Sequence, residues 1–392
     1  MMRLLYVAPA PPSNRQGGGA LRMFHQVRFL AQRFETDLIA PALDGSDEAD
    51  RQLRQYCADI EWVPLRGPSL VRRLARLGPY RRDAAFAGAI RNRLMSGRYG
   101  AVQLEKPAMI SQLPGRLDVP IILDVWAYGL AGPLRALRHE AGVIRRARNL
   151  VRLMRYGFFD RYCWPKIHCL LVVSEQDRVR CERSRPTQRA LVVPNGVDCA
   201  VVHPKQDYQT SRPVILFSGD MSFEPNIEAA LFLATEVFPI VRRDVPEAEL
   251  RLVGRKPDPR ITALAGKGVV VTGEVANILP HLHAATVFVA PHFTGAGTRT
   301  KLLEAMAAGL PIITTHVGVE GVKAQAGREL VIADNAVEMI ESIQTLLASP
   351  ADRERFGRAA RRLAEREYDW SQSLWPLESL YRDMLHVKAK AC

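Results

Sequence analysis

The stretch that decides the fold spans residues 287–315 and reads VFVAPHFTGAGTRTKLLEAMAAGLPIITT. It begins with an apolar run, 287–290, which is typical of a buried parallel strand. A loop of small residues follows at 294–298, and a helix is predicted to open near Thr300. A second apolar run at 312–314 predicts the next strand. Strand, helix and strand in this order predict a parallel sheet covered by helices.

The same alternation extends through the rest of the chain and predicts an α/β fold made of two Rossmann-like domains. Strands are predicted at 3–8, 36–40, 60–65, 101–105, 120–125, 169–173, 190–193, 214–218, 250–253, 269–272, 287–290, 312–314 and 330–332. Helices are predicted at about 20–33, 133–161, 174–182, 226–242 and 301–308, and through a helical tail with breaks near 350 and 368–370.

A length of 392 residues favours two domains over one. The chain turns polar after residue 198 and stays so through about 212, which we interpret as the linker. The predicted N-terminal domain is therefore 1–205, and the predicted C-terminal domain is 206–370. The terminal helix, 371–392, is predicted to pack back on the first domain.

The net charge of +13 is concentrated in two arginine-rich segments, 66–82 and 135–155. Arginines alternate with apolar residues in the second segment, which is typical of a helix on an anionic membrane surface. A solvated helix face explains the pattern equally well. Nucleic acid is disfavoured as a partner, because no zinc finger, RNP motif or obvious helix-turn-helix is present.

Apolar runs are too short to cross a bilayer, and the apolar start, 1–12, is too short for a signal peptide. The sequence therefore predicts a cytoplasmic protein, with peripheral attachment to the inner face of the membrane as a further expectation. The loose cluster Cys163, His168, Cys169 and Cys181 matches no zinc template, so neither a metal nor a cofactor is expected.

The small-residue loop before Thr300 has the chemistry of an anion site. Gly295 and Gly297 let the backbone approach a ligand, and the helix N-terminus behind them favours negative charge. Arg299 and Lys301 add two cations, and Glu304 lies one turn into the helix, where a carboxylate can accept hydrogen bonds from a ribose diol. Taken alone, such a loop is as often only a tight connection between strand and helix.

Further motifs accompany this loop in a fixed order: VSEQD at 173–177, VPNGVD at 193–198, FSGDMSFEPN at 217–226, LVGRKP at 252–257, VTGEV at 271–275 and GAGTRTKLLEAMAAGLP at 295–311. With these motifs the chain resembles the retaining glycosyltransferases of family 4, in the branch with a G-T-R-x-K-L-L-E donor motif. The resemblance implies a GT-B fold, with two Rossmann-like domains facing a cleft, of which 1–205 would bind the acceptor and 206–370 the nucleotide-sugar donor. It also implies metal-independent transfer of a hexose from a nucleoside-diphosphate sugar to a sugar or lipid-linked acceptor, in polysaccharide, glycolipid or glycoconjugate synthesis.

The resemblance also implies roles for individual residues. Arg299 and Lys301 are expected to stabilise the leaving diphosphate, and Asp124 is the third candidate for a catalytic role. Glu105 and Trp126 are candidates on the acceptor side. The residues expected to bind the donor are Gly17, Gly18, Gly19, Gly219, Asn226, Gly273, Val275, Gly295, Ala296, Gly297, Thr298 and Glu304.

The chain departs from the family pattern at three places. Ala296 replaces the first glutamate of the E-x7-E motif, Asp220 follows Gly219 where a basic residue is usual, and Trp126 falls where many members carry a histidine. Asp124 and Trp126 have a structural interpretation as well, as a strand cap and a packed ring. Alternatives to transfer are a GT-B sugar-nucleotide epimerase and a nucleotide-sugar-binding protein with a decayed site.

Overall fold

The computed structural model describes residues 3–14, 18–65, 82–115, 117–128, 147, 150–151, 153–154, 167–209, 212–295 and 297–389. The chain divides into two compact units. We call Met1–Pro194 with Ser373–Cys392 the N-terminal unit and Asn195–Gln372 the C-terminal unit. Each unit is built on one parallel sheet with helices, so the predicted α/β fold with two Rossmann-like domains is confirmed.

The N-terminal unit has a seven-stranded sheet in the order β3-β2-β1-β4-β5-β6-β7. Its strands are β1 (Arg3–Val7), β2 (Thr36–Pro41), β3 (Asp59–Val63), β4 (Tyr99–Glu105), β5 (Ile121–Val125), β6 (Cys169–Val172) and β7 (Ala190–Val192). Its α-helices in the described residues are α1 (Gly18–Ala31), α2 (Ser46–Leu53), α3 (Ala84–Met95) and α4 (Glu175–Ser184). A 3-10 turn, Pro107–Gln112, follows β4. The central strands β4 and β5 are buried along their whole length, and β1 is buried after Arg3, as expected for a sheet covered on both faces.

The C-terminal unit has a six-stranded sheet in the order β10-β9-β8-β11-β12-β13. Its strands are β8 (Val214–Ser218), β9 (Glu249–Val253), β10 (Val269–Gly273), β11 (Val287–Ala290), β12 (Ile312–Thr314) and β13 (Val331–Ile332). Its α-helices are α5 (Glu224–Phe232), α6 (Phe238–Asp244), α7 (Pro259–Thr262), α8 (Leu279–Ala284), α9 (Thr300–Ala307), α10 (Ala336–Ala348), α11 (Pro350–Leu363) and α12 (Trp370–Ser373). The last helix, α13 (Trp375–Ala389), returns to the N-terminal unit.

The helix predicted at 226–242 is divided into three parts. Between α5 and α6 the backbone forms a π-helical turn, Leu233–Val237. Pro239 is the second residue of α6 and lacks the amide hydrogen that a regular helix needs at that position. A π-turn beside a proline relieves this conflict, so one continuous α-helix does not form.

The polar segment predicted as the linker is bound to the C-terminal unit, and the division falls at 194/195 rather than at 205/206. The amide of Val197 donates to Tyr368 O, and the Arg361 guanidinium donates to Cys199 O. Farther along, Tyr208 donates to Gly309 O, and Arg353 donates to Tyr208 O through two nitrogens at 2.7 and 3.0 Å. The polar groups of this segment are thus used by its own unit.

The arginine-rich segments lie largely outside the described residues. Only Arg82 of the first is described, and only positions 147, 150–151 and 153–154 of the second. There Leu150 and Met154, one helical turn apart, are 53% and 60% exposed. Within the described part of the chain, no helix has the length and apolar character needed to span a membrane.

Candidate functional site

The carboxyl ends of β8 and β11 form a topological switch point in the C-terminal unit. From β8 the chain proceeds to β9 and β10 on one side, then returns to add β11, β12 and β13 on the other. In open parallel sheets, ligands bind outside the carboxyl ends of the strands at this point. Gly219 follows β8 directly, and His292 comes two residues after the end of β11. Both are therefore placed where a ligand is expected.

Lys301, in the first turn of α9, lies at this switch point. Its Nζ donates to Asn226 Oδ1 at 2.6 Å and lies 4.6 Å from the centre of the Phe217 ring. Asn226 is held in turn by its Nδ2, which donates to Asp220 O at 2.8 Å. A Cβ atom at Gly219 would lie 2.6 Å from Lys301 Nζ, so a glycine is needed there to leave room for the ammonium. The structure thus brings the predicted residues Gly219, Asn226 and Lys301 together.

The Lys301 ammonium and the Glu304 carboxyl both have a pKa of about 7. Burial and the neighbouring Arg299 cation lower the pKa of Lys301 to about 7. Burial raises the pKa of Glu304 to about 7, although the Lys301 charge opposes this rise. Within the described residues the Glu304 carboxyl makes no hydrogen bond. Shifts of this kind cluster at functional sites, because binding and catalysis use groups that can change charge.

The two glycines of the glycine loop (residues 294–298) take a conformation that only glycine adopts easily. Gly295 and Gly297 have φ values of 95° and 88°, in the left-handed region. Arg299 holds the loop from inside, with Nη2 donating to Thr294 O at 2.8 Å and Nη1 to Gly297 O at 3.3 Å. The loop is also tied to α5, because Thr294 Oγ1 donates to Glu228 Oε2 at 2.6 Å. Ala296 lies outside the described residues.

Three polar residues that we did not predict as site residues support this arrangement. Asn195 Nδ2 donates to Thr298 O at 3.2 Å and holds the far end of the glycine loop. The buried His292 places its Nε2 3.0 Å from Asn226 Oδ1. Arg255 forms an ion pair with Asp220 at 2.9 Å. Asn195 and Arg255 lie in motifs that the sequence displays, VPNGVD and LVGRKP, whereas His292 is marked only by its place after a buried strand.

The segment predicted to meet the nucleotide base lies on the same edge of the sheet but farther from Lys301. Gly273 ends β10, which is separated from β8 by β9. Its φ of 72° is left-handed, and its carbonyl accepts from the amide of Gly254 at 3.1 Å. Val275, two residues later, is half-buried.

In the N-terminal unit the structure gives the glycines after β1 a packing role. Gly17 lies outside the described residues, and Gly18 and Gly19 form the first turn of α1 rather than a loop before it. A Cβ atom at Gly19 would lie 1.9 Å from Cζ3 of Trp126. Glycine is therefore required at this position because the indole occupies the space of a side chain.

Asp124, at the carboxyl end of β5, is fully buried and bound by protein groups. Arg22 donates to its two oxygens at 2.8 and 3.1 Å, and Gln26 Nε2 donates at 2.5 Å. Arg22 Nη1 also donates to Pro194 O at 3.0 Å. Both carboxylate oxygens are engaged, so in this conformation Asp124 fixes α1 to the sheet.

Glu105 and Trp126 belong to the same buried network. Tyr6, Gln103 and Trp126 all donate to the Glu105 carboxyl, at 2.6, 2.9 and 3.0 Å. Burial and the charge of Asp124 raise the pKa of Glu105 to about 7. The network extends to α13 through the Tyr381 hydroxyl, which donates to Gln103 Oε1 at 2.7 Å. The structure thus brings Asp124, Glu105 and Trp126 into one cluster of the N-terminal unit.

Trp126 is covered on its ring face. Lys106 Nζ lies 3.8 Å from the ring centre, a cation–π contact, and burial lowers the pKa of this ammonium. Lys106 has a φ of 68°, which is uncommon for a residue with a side chain. With Lys106 on the ring and Gly19 against its edge, the indole is held in one position.

Most of the sequence of the C-terminal unit matches a known family. Residues 212–349 match the family described as Glycosyl transferases group 1. A phosphatidyl-myo-inositol mannosyltransferase of Mycobacterium leprae is 26% identical over 298 residues, covering 73% of this chain and 74% of that protein. An uncharacterized 44.6 kDa protein in the cps region of Klebsiella pneumoniae is 21% identical over 354 residues, covering 86% of this chain and 89% of that protein.

Solved structures agree on the fold. Sucrose-phosphate synthase from Thermosynechococcus elongatus superposes with a TM-score of 0.75 at 17% identity, covering 98% of this chain and all of that one (100%). Anabaena HepE, solved with UDP and glucose, gives a TM-score of 0.69 at 13% identity, covering 97% of this chain and 100% of that one. These solved structures share the fold of this chain, in which each unit is built on one parallel sheet with helices.

Proposed function

We propose that this chain, a glycosyltransferase with the GT-B fold, moves a hexose from a nucleoside-diphosphate sugar to an acceptor hydroxyl and retains the anomeric configuration. The observation that carries the proposal is the grouping of Lys301, Asn226 and Gly219 beside the glycine loop, at the switch point of the C-terminal sheet. A diphosphate fits this grouping, because glycine backbone, a helix N-terminus and two cations all favour negative charge.

The proposed reaction depends mainly on stabilising the negative charge of the leaving diphosphate. As the sugar departs, negative charge grows on the diphosphate, and Lys301 and Arg299 would stabilise it. The bound diphosphate would also raise the pKa of Lys301 from about 7, because a nearby anion favours the ammonium. These two cations would take the place of a metal ion, so the proposal requires neither a metal nor a cofactor.

The remaining roles follow the same geometry. Glu304 would accept hydrogen bonds from the ribose hydroxyls, since its carboxyl makes no hydrogen bond within the described residues. The acceptor proton would pass to the departing phosphate, so the mechanism needs no side-chain base. Asp124 supports this choice, because Arg22 and Gln26 already occupy its oxygens. We therefore propose a positioning role for Asp124 and keep the catalytic role for Arg299 and Lys301.

The acceptor side of the proposal is broader. We propose that the N-terminal unit binds a sugar or lipid-linked acceptor, on the cytoplasmic face of a membrane. The arginine-rich segments 66–82 and 135–155 support this, together with the exposed Leu150 and Met154. Co-sedimentation with phosphatidylglycerol vesicles at low salt tests it, with neutral phosphatidylcholine vesicles as the control. Equal recovery of the protein with both kinds of vesicle would contradict the proposed attachment to an anionic membrane.

A donor screen tests the enzymatic proposal directly. The full chain is incubated with UDP-, GDP- and ADP-sugars, and thermal shift and nucleotide release are measured with and without candidate acceptors. We expect one nucleotide series to stabilise the fold by about 3 kcal/mol at a hundredfold excess over Kd. Conversion of the donor sugar without acceptor would indicate an epimerase, and tight binding without any turnover would indicate a decayed site.

Arg299→Ala is the matching variant, with Arg328→Ala, on an exposed surface turn, as its control. We expect Arg299→Ala to lower kcat about 10²- to 10³-fold, as for loss of one donor to a developing anion. Arg328→Ala should leave kcat unchanged. Near-normal kcat in Arg299→Ala would contradict the assignment of the leaving-group site.

A further inference from the structure

His292 occupies an unusual place for a titratable side chain. It follows β11 and is only 1% exposed, with its ring 5.7 Å from that of Phe217. Its Nε2 lies 3.0 Å from Asn226 Oδ1 and 3.4 Å from Lys301 Nζ. The His292 imidazole therefore contacts both Asn226 and the Lys301 ammonium.

The hydrogen bonds around Asn226 determine which His292 nitrogen carries the proton. Asn226 Nδ2 donates to Asp220 O, so Oδ1 must point toward Lys301 and His292. An amide oxygen only accepts, so we assign the proton to His292 Nε2, whose 3.0 Å contact is shorter than the 3.4 Å contact between Nδ1 and Ala290 O. Burial and the charges of Lys301 and Arg299 keep the pKa of His292 well below its ordinary value, so the ring is neutral. His292 is thus the neutral tautomer with its proton on Nε2.

We propose that His292 is a positioning residue for donor binding: its Nε2–H fixes the Asn226 carboxamide, which in turn holds the Lys301 ammonium at the diphosphate position. The proposal rests on the proposed function of the Lys301 site. Without the Nε2–H donor, the Asn226 carboxamide loses one of the two hydrogen bonds that Oδ1 accepts, and of its hydrogen bonds within the described residues only those to Asp220 O and Lys301 Nζ remain. The acceptor that Lys301 contacts beside the Phe217 ring is then held less firmly.

Two variants of the full chain separate this role from simple packing. His292→Leu keeps an apolar side chain beside Phe217 but removes the donor, whereas His292→Gln supplies an amide N–H that can reach Asn226 Oδ1. UDP, GDP and ADP serve as probes, and Kd is measured by calorimetry. We expect His292→Leu to weaken binding about three- to tenfold, as for loss of one neutral hydrogen bond, and His292→Gln to restore most of it.

A double-mutant cycle identifies the route of the effect. In an Asn226→Ala background, His292→Leu should weaken binding no further, because the group that His292 orients is already gone. Additive losses, unchanged binding in His292→Leu, or no rescue by His292→Gln would each overturn the proposal while leaving the proposed function intact. Failure of the wild-type chain to bind any of the three nucleotides would overturn both.

The tautomer can be read without any variant. Nitrogen-15 NMR of histidine-labelled wild-type protein should show one histidine protonated at Nε2 that does not titrate across the neutral range, and His292→Gln identifies its signal by loss. A His292 signal protonated at Nδ1, or one that titrates near neutrality, would overturn the proposal even if His292→Leu failed to fold.

Discussion

Lys301→Met should make the protein more stable and at the same time abolish donor binding. Methionine has nearly the length of lysine but carries no charge, so it can lie on Phe217 without the cost of burying an ammonium. Asn226 Oδ1 loses the Lys301 donor but remains in contact with His292. The substitution therefore removes a destabilising charge and leaves the surrounding hydrogen bonds mostly intact.

The size of the effect follows from the pKa of Lys301, which burial lowers from 10.5 to about 7. Each pH unit corresponds to about 1.4 kcal/mol, which gives an upper limit of about 5 kcal/mol. Lys301 retains some contact with solvent, which screens part of this cost. We therefore expect Lys301→Met to raise the free energy of unfolding by about 2–4 kcal/mol at or below neutral pH.

The pH dependence of this gain has a definite sign. The unfolded chain keeps the Lys301 proton up to about pH 10.5, whereas the folded chain releases it near pH 7. The cost of the charge is thus complete below pH 7 and disappears as the pH rises toward 10.5. The free energy of unfolding of Lys301→Met should therefore exceed that of the wild type most below neutral pH. The difference should disappear near pH 10.

Urea unfolding of the full chain at acidic, neutral and alkaline pH, with and without UDP, measures both effects. Lys205→Met is the matched control, because Lys205 is another half-buried lysine of the C-terminal unit whose pKa burial lowers. Its Nζ donates to Ala285 O at 2.6 Å, so this variant should lose stability and keep nucleotide binding. A Lys301→Met protein that is less stable than the wild type below pH 7, or that binds UDP normally, would refute the reasoning.

Three further predictions test the packing and the buried charges. Gly19→Ala should cost about 1–3 kcal/mol by overpacking against Trp126, and Trp126→Ala in the same chain should relieve most of that cost, as thermal unfolding of the double variant would show. Asp124→Leu should cost about 3–5 kcal/mol because it leaves the buried Arg22 without its carboxylate; a loss below 1 kcal/mol in urea unfolding would contradict this. Arg353→Met should lower the urea midpoint, since its guanidinium donates to buried backbone carbonyls, and an unchanged midpoint would contradict that role.

The sheets could be predicted from the sequence because their strands are short apolar runs bounded by turn residues. The predicted strands 214–218, 287–290 and 312–314 coincide with β8, β11 and β12. The glycine loop was visible for a similar reason: its glycines, cations and helix start are neighbours in the chain. Features formed by residues that are neighbours in the chain do not depend on the tertiary contacts.

The contacts that complete the candidate site could not be predicted, because they join residues distant in the chain. Gly19 meets Trp126 only because β1 and β5 both lie beside β4. His292 meets Asn226 only because β11 pairs with β8. Composition was misleading for the polar segment before 212, since its hydrogen bonds are made with Arg353 and Arg361, far along the chain.

The return of α13 to the N-terminal unit has a consequence for synthesis on the ribosome. Residues 375–389 are made only after the whole of the C-terminal unit, 195–372, has been translated. Until then Gln103 lacks Tyr381, and Arg33 lacks the Glu378 carboxylate that lies 2.8 Å from its Nε. Domains generally fold as units in the order of synthesis. Here the C-terminal unit can complete its fold first. The N-terminal unit lacks α13 until the last residues of the chain have been translated.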